Sequence, residues 1–507
     1  MARRINCSLI FNLGQQILKN LSRMTSLFSN AGYFPEWMVI RLPEKYRWIF
    51  NDEAEIPSAP EDKAREYGIF FHEWAHHFHN ISTVSGILAY SSTVALWSSF
   101  RWTVLKGSDS IGSDSVDVPP DHQLNIVRAI KFFSVVRNER EINSKLNSSS
   151  RGFAFHHLDS DIATTSVAQL PSLRIGEVQP EEFHVLTCQA RRARGMYSEE
   201  NVLVEIGTFE IIEGVASMLE DFVVRTICKG AVPAASDFAP YQLLSRLVEH
   251  FIPGGDQNLA IACGIAALQH PDPPVGLLHI LKEARATINS ERFSKVEELA
   301  KEFLSRNLAN VELHLTRLDQ FFPVDEPMAE AVKWLNERIR ERLRERAEDP
   351  FVELRLTREI ADSPKQILAT VVDRSCAFLF LAGSDGTSPS SGTNVSAPAD
   401  MLELRTKYTG ASEERFQHGR VKLWAALHFL HRHRGENGID SSAAVVRKSA
   451  TGALCCPFYY ACDHQPRVNN DPNCTHAPWR VGIQSDRLTE ICWYSAGAFA
   501  SRRGPVV

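Results

Sequence analysis

The stretch Phe70-Phe71-His72-Glu73-Trp74-Ala75-His76-His77-Phe78-His79 contains His-Glu-x-x-His. On a helix, His72 and His76 lie one turn apart on one face, so both imidazoles can reach one zinc ion. Glu73 projects beside them, placed to take a proton from a water on that ion. Bound zinc would draw the pKa of such a water towards neutrality. No Pro or Gly interrupts the stretch, and Phe70, Phe71, Trp74 and Phe78 supply apolar faces that would hold the ligand face rigid.

A zinc site of this kind needs one further protein ligand and an open position. The close-spaced continuation His-x-x-Gly-x-x-His is absent, because position 79 is His and position 82 is Ser. The candidate region is Gly207-Thr208-Phe209-Glu210-Ile211-Ile212-Glu213-Gly214-Val215-Ala216-Ser217-Met218-Leu219-Glu220. Taken together, the two motifs resemble the gluzincin group of zinc metallopeptidases. In that group the third ligand is a glutamate on a second helix, in several branches within Glu-Gly-aromatic/aliphatic-Ala. Glu213-Gly214-Val215-Ala216 matches, so the resemblance implies Glu213 as the ligand. Gly214 and Ala216 carry little side chain and would let this helix approach the first one closely. The motif is also similar to that of uncharacterised bacterial proteins with His-Glu-aromatic-x-His and a Ser/Thr-rich turn, here Ile81-Ser82-Thr83. The chain departs from well-known gluzincins in length, since 137 positions separate His76 from Glu213.

Glu210 and Glu220 share the broad face of Glu213. Either could orient His72 or His76 through its free ring N–H, and Glu210 is an alternative third ligand. His79, one turn beyond His76, could support the ligands from behind, ligate in their place or touch substrate, and is most simply expected as a polar group at the rim of the cleft. His156, His157, Tyr408 and the group His428, His431, His433 are candidates for a hydrogen-bond donor to the transition state.

The C-terminal segment gathers Cys455, Cys456, Cys462, His464, Cys474, His476 and Cys492. Cys456, Cys462 and Cys474, with His464 as one choice of fourth ligand, could hold a second, structural Zn2+ or an iron–sulfur cluster. The spacing matches no standard zinc finger, and buried free thiols around Phe458 and Trp479 account for it equally well.

The elements that must position these groups follow from hydrophobic periodicity. Residues 5–29 read as a weak amphipathic helix, and Trp37–Leu42 as a strand ended by Pro43. Acidic Glu61, Asp62 and Glu66 suit the start of the motif helix, which should run to about Thr83 or Gly86. Ile87–Leu105 reads as buried helix, and 107–120 as a flexible loop before a helix from Asp121. The segment to about 200 looks irregular, with Arg191–Arg194 as a solvated basic turn. A helical pattern starts at Asn201, and further helices cover roughly 240–252, 258–268, 274–287, 291–320 and 326–347. Within the last of these, Arg338–Arg346 alternates in sign as a solvated face would. Residues 384–399 are rich in Ser, Gly and Pro, and a helix at 413–434 precedes the cysteines.

These patterns describe a mainly α protein: a zincin-like helical core, a small β element before the active-site helix, and a Cys-rich C-terminal segment. The expected division is an N-terminal segment at 1–60, a metal-binding core at 61–235, a helical domain at 236–383, a linker at 384–400 and a C-terminal part at 401–507. A net charge of −6 gives no reason to expect nucleic acid as a partner. No apolar run is long enough to span a bilayer. The arginines near the start are followed by too short an apolar run for an export signal, so a cytoplasmic location and reduced thiols are expected. The functional expectation is a zinc-dependent hydrolase, by resemblance a peptidase acting on a peptide or protein. A hydrolase of non-peptide bonds and a non-catalytic scaffold with structural metal sites are its rivals.

Overall fold

A computed structural model of the chain describes residues 31–35, 38–50, 61–93, 143, 155–158, 163–169, 182–193, 199–228, 238–320, 322, 327–360, 371, 378–382, 401–403, 413–434, 445, 456, 458, 471–481 and 492–503. The described part is mainly helical, with two four-stranded sheets. The readings of 5–29, 107–120, the helix from Asp121 and 384–399 lie outside the described residues.

The first sheet has the order β1-β2-β7-β8, built from β1 (Gly32–Phe34), β2 (Val39–Pro43), β7 (Phe378–Ala382) and β8 (Met401–Glu403). β1 is antiparallel to β2, with Tyr33 opposite Ile40, and β2 runs parallel to β7. The strand expected at Trp37–Leu42 is thus the second of a sheet that also recruits chain from beyond residue 377. Ile40 and Leu42 are fully buried.

Helix α1 (Glu61–Ser82) carries the histidine motif. Glu61 and Asp62 occupy its first turn, where negative charge favours the helix dipole. Its last turn is closed by hydroxyls, since Ser82 Oγ donates to Phe78 O and Thr83 Oγ1 to His79 O. Helix resumes at 84–93, after a bend at Thr83 that Gly86 makes possible. A Cβ on Gly86 would stand 2.3 Å from His79 O. Phe70, Phe71, Trp74 and Phe78 join the main hydrophobic core, while Ile81 begins the second one.

The second sheet replaces the irregular segment expected before residue 200. It comprises β3 (Phe155–Leu158), β4 (Ala163–Gln169), β5 (Glu182–Ala193) and β6 (Glu199–Ile206), with β5 central. Arg191 and Arg192 therefore belong to a strand, in register with Asn201 and Glu200, and not to a turn. Helix α2 (Thr208–Ile227) starts seven residues later than Asn201, because 201–206 is strand. Val204 and Ile206 are buried from one face of that strand, and their apolar character merges in sequence with that of the helix after them.

Helices α3 (Leu243–Phe251), α4 (Gln257–Ala267), α5 (Pro273–Ala286), α6 (Arg292–Asp319) and α7 (Pro327–Glu348) follow at the expected places. The Asp256 carboxylate caps α4 by accepting from Leu259 N, and Pro273 opens α5. α8 (Val352–Glu359) comes next. The second core forms around α9 (Glu413–His433), α10 (Asp471–His476) and α11 (Trp493–Arg503).

The charged run in α7 is only partly the solvated face expected. Arg338 pairs with Glu341 and Arg342 with Glu345 along the helix. Arg346, however, is 0 % exposed and forks onto the equally buried Glu353 of α8, with Nη2–Oε1 at 2.6 Å and Nη1–Oε2 at 3.1 Å. It also donates to Ser82 Oγ and Pro350 O and lies over the Phe78 ring. One guanidinium thus ties α7 and α8 to the end of α1. Burial alone would push the Glu353 carboxyl up; Arg346 and His79 outweigh it and hold it at about 2.

A depressed carboxyl contributes stability above its unfolded value of 4.5 and loses it as pH falls towards 2. Acid unfolding should therefore steepen in that window, and Glu353→Gln should flatten it. The same substitution leaves Arg346 buried without its counter-charge, so it should cost about 3–5 kcal/mol in denaturant unfolding at neutral pH.

Candidate metal centre

The centre lies where α1 crosses α2. A glycine permits the crossing, but it is Gly68 on α1 and not Gly214. A Cβ on Gly68 would meet Val224 Cγ2 at 2.5 Å and Glu220 Cγ at 3.2 Å. Gly214 instead faces Leu244 of α3, where a Cβ would fall 2.8 Å from the Leu244 Cβ. The expected role of Gly214 in seating α2 on α1 is corrected accordingly: it seats α3 on α2.

With the helices this close, the chain brings His72, His76 and Glu213 together, and their nearest ligand atoms all lie within 4.8 Å of one another. Glu213 Oε2 is 3.4 Å from His72 Nε2 and 3.5 Å from His76 Nε2. These separations exceed the ~2.7–3.2 Å of a good N–H···O bond. These two edges are close to those of a zinc tetrahedron, whose donors at 2.0–2.1 Å stand about 3.3–3.4 Å apart, within a set that spans up to 4.8 Å. Two imidazoles and a carboxylate are also a usual donor set for catalytic zinc. The three side chains keep 11, 10 and 16 % exposure, so the cluster is walled but reachable.

Glu220 accepts from His72 Nδ1 at 3.0 Å. With Nδ1 carrying the proton, Nε2 keeps its lone pair towards Glu213 and His76. Burial disfavours the His72 imidazolium, yet Glu213 and Glu220 more than offset it and raise its pKa well above the ordinary value. For Glu213 burial pulls upward and His76 and His72 pull harder downward, which leaves it far below the usual carboxylate range. Metal binding would therefore displace a proton from His72.

Glu73 lies beside this cluster, and its Oε2 accepts the backbone N–H of Tyr33 at 2.6 Å. Burial raises its pKa and the carboxylate of Glu213 adds to the rise; His72, His76 and the Tyr33 amide partly oppose it. Two aromatic neighbours complete the surroundings. The Tyr241 ring meets His72 edge-on at 6.2 Å, and the Tyr46 hydroxyl feels Glu66, Glu73 and Glu220, which with burial raise its pKa. Neither tyrosine stands out in the sequence, because each reaches the site from a separate, short element.

Four candidate residues have other contacts. Glu210 is fully buried and caps its own helix: Oε2 accepts from Gly207 N at 2.9 Å and Oε1 from Asn143 Nδ2 at 3.1 Å. Both of its oxygens are thus engaged at the start of the helix, and it is not in the group whose ligand atoms cluster. A Glu at the third helical position reaching back to the cap is the capping-box pattern, which could have been read from Gly207–Glu210. His79 is not at a rim. It is 2 % exposed, with Nε2 3.1 Å from Glu353 Oε1, and burial lowers its pKa. His428 is buried against the Tyr494 hydroxyl and His433 bonds Phe429 O, both within the second core.

Of the cysteine group, Cys456 and Cys474 are buried and adjacent, with Cys456 N donating to Cys474 O at 3.2 Å. His476 is exposed, and Cys462 and His464 lie outside the described residues, as does Tyr408. His156 and His157 fall on β3. Among the described residues, His72, His76 and Glu213 form the one group of three potential metal ligands. No helix among them is long and apolar enough to cross a membrane. Comparison with known protein families, curated proteins and solved structures finds no match to this chain.

The two carboxylates of α2 should separate cleanly on mutation. Glu213→Gln should lose most bound zinc, measured by elemental analysis after dialysis, and should also lower the melting temperature of the metal-free protein, because His72 and His76 lose the carboxylate they hold ionised. Glu210→Ala should keep its zinc and lose about 1–3 kcal/mol of stability, because buried amide donors are left unpaired.

Proposed function

We propose that this protein is a zinc-dependent hydrolase, with the peptide bond as its leading substrate class. The observation that carries the reading is the convergence of His72, His76 and Glu213 on one point, with the Glu73 carboxylate beside it. Zinc held there would polarise a substrate carbonyl and activate a water. Glu73 has the position and the raised proton affinity to accept the proton of that water and return it to the leaving group. Glu220 fixes the His72 ring so that its lone pair faces the ligand position. Peptide as the substrate class rests on the resemblance of the two motifs to gluzincin peptidases.

The test is a pair of measurements on the full chain. Purified protein should carry zinc, and His72→Ala/His76→Ala should lose it. Glu73→Gln should hold zinc as the wild type does while its cleavage of a peptide library falls about 10²–10⁴-fold, the usual worth of a positioned acid–base group. Unchanged cleavage in Glu73→Gln would reject the mechanism. Zinc-loaded wild type that cleaves neither peptides nor other acyl substrates would instead favour a non-catalytic metal-binding scaffold.

A further inference from the structure

We propose that the backbone amide of Tyr33 is the positioning group for Glu73, so that strand β1 aims the general base; this rests on the hydrolase reading above. A glutamate side chain has several rotatable bonds, and a base in a half-buried wall must present one chosen oxygen. Among the described residues, the Tyr33 N–H is the one hydrogen-bond donor to Glu73, at 2.6 Å from Oε2. That bond commits Oε2 and leaves Oε1 to exchange protons.

The donor is held by main chain and not by a rotamer. β1 is the edge strand of its sheet, in register with β2 from Gly32 opposite Arg41 to Phe34 opposite Val39. Alternate residues of an antiparallel edge strand turn their N–H groups away from the partner, and that of Tyr33 turns towards α1. The Tyr33 ring meets His77 edge-on at 5.6 Å, so one residue grips α1 at two positions a turn apart. β2 is in turn anchored by Ile40 and Leu42, buried in the same core as Phe70, Phe71 and Trp74.

The geometry also separates aiming from a substrate-like approach. In a trans peptide the N–H of Tyr33 and the C=O of Gly32 point in opposite directions. With the N–H on Glu73, the Gly32 carbonyl faces β2. The strand thus orients the carboxylate without offering its own peptide bond to it.

The contact can be removed without touching a side chain of the metal cluster. Tyr33→Pro deletes the N–H, and an edge strand tolerates proline where that N–H lies off the ladder. Tyr33→Phe keeps it. With fluorescein-labelled casein as the probe, Tyr33→Pro should retain wild-type zinc content and KM while kcat falls about 10- to 100-fold, the effect of a misplaced reacting group. Tyr33→Phe should stay within about twofold of wild type on the same logic. A kcat in folded, zinc-loaded Tyr33→Pro equal to that of wild type overturns the proposal. If Tyr33→Pro does not fold, 15N-tyrosine spectra decide. The Tyr33 amide should be shifted downfield and protected from exchange in wild type, and lose both in Glu73→Ala. An amide indifferent to Glu73→Ala overturns the proposal. Wild type that holds zinc, shows the amide response and cleaves neither casein nor other peptide and acyl substrates overturns the hydrolase reading and not the positioning of Glu73.

Discussion

Helix α1 carries a stripe of ionisable groups into a largely dry interior, and the rest of the fold answers it. His72, Glu73, His76 and His79 sit among Phe70, Phe71, Trp74 and Phe78, four aromatic side chains at or below 2 % exposure. A charge or hydrogen-bonding group in such surroundings is costly unless paired. Each partner comes from a different part of the chain. α2 supplies Glu213 and Glu220, β1 supplies the Tyr33 amide, and α8 supplies Glu353, itself neutralised by Arg346 of α7. Few arrangements of those elements bring all these partners to α1 at once, so the polar stripe fixes the position of α1 more sharply than apolar contact alone would.

Approach distance is the second constraint, and glycine sets it. Gly68 brings α2 against α1 within reach of short carboxylate stems, while Gly214 and Gly264 bring α3 and α4 against α2. A Cβ on Gly264 would stand 2.3 Å from Val215 Cγ2. The back of α2 is thereby fixed by close-packed helices, and its front presents the two glutamates to α1. A ligand set built on helices supported from behind holds its geometry better than one built on loops.

What was legible in the sequence follows from how local each signal is. The motif helix, the ligand pair and the helices from 243 to 348 are all written in i, i+3, i+4 periodicity, and they stand where that pattern puts them. The choice of Glu213 rested on a resemblance, although the capping box at Gly207–Glu210 was a local sign that Glu210 has another duty. The geometry separates them: Glu210 caps α2 at Gly207, whereas Glu213, one turn on, faces the histidines. The second sheet escaped detection because Thr164-Thr165-Ser166 and His184 interrupt the apolar alternation that marks a strand. Arg346 was unreadable as a buried residue because its partners, Glu353 and Ser82, lie on other helices. The Tyr33 contact was invisible for a further reason: a backbone donor leaves no trace in residue identity.

The energetics bear on why such a stripe is present at all. Pairing repays the desolvation of a buried ion only in part, and apolar residues of similar volume are often as stabilising or more so. For Arg346 and Glu353 a structural account suffices, since together they bind three helices and face no opening. The groups nearer Gly68 are different. Burial, and after it the nearby charge of Glu213, raise the proton affinity of Glu73. His72, His76 and Glu213, held at 10–16 % exposure with Glu213 Oε2 3.4 and 3.5 Å from the two Nε2 atoms, make poor use of a core position and, on the proposed reading, good use of a cation-binding one. A divalent ion bound there, as proposed, would supply positive charge beside Glu213 and Glu73 and so favour the ionised form of both.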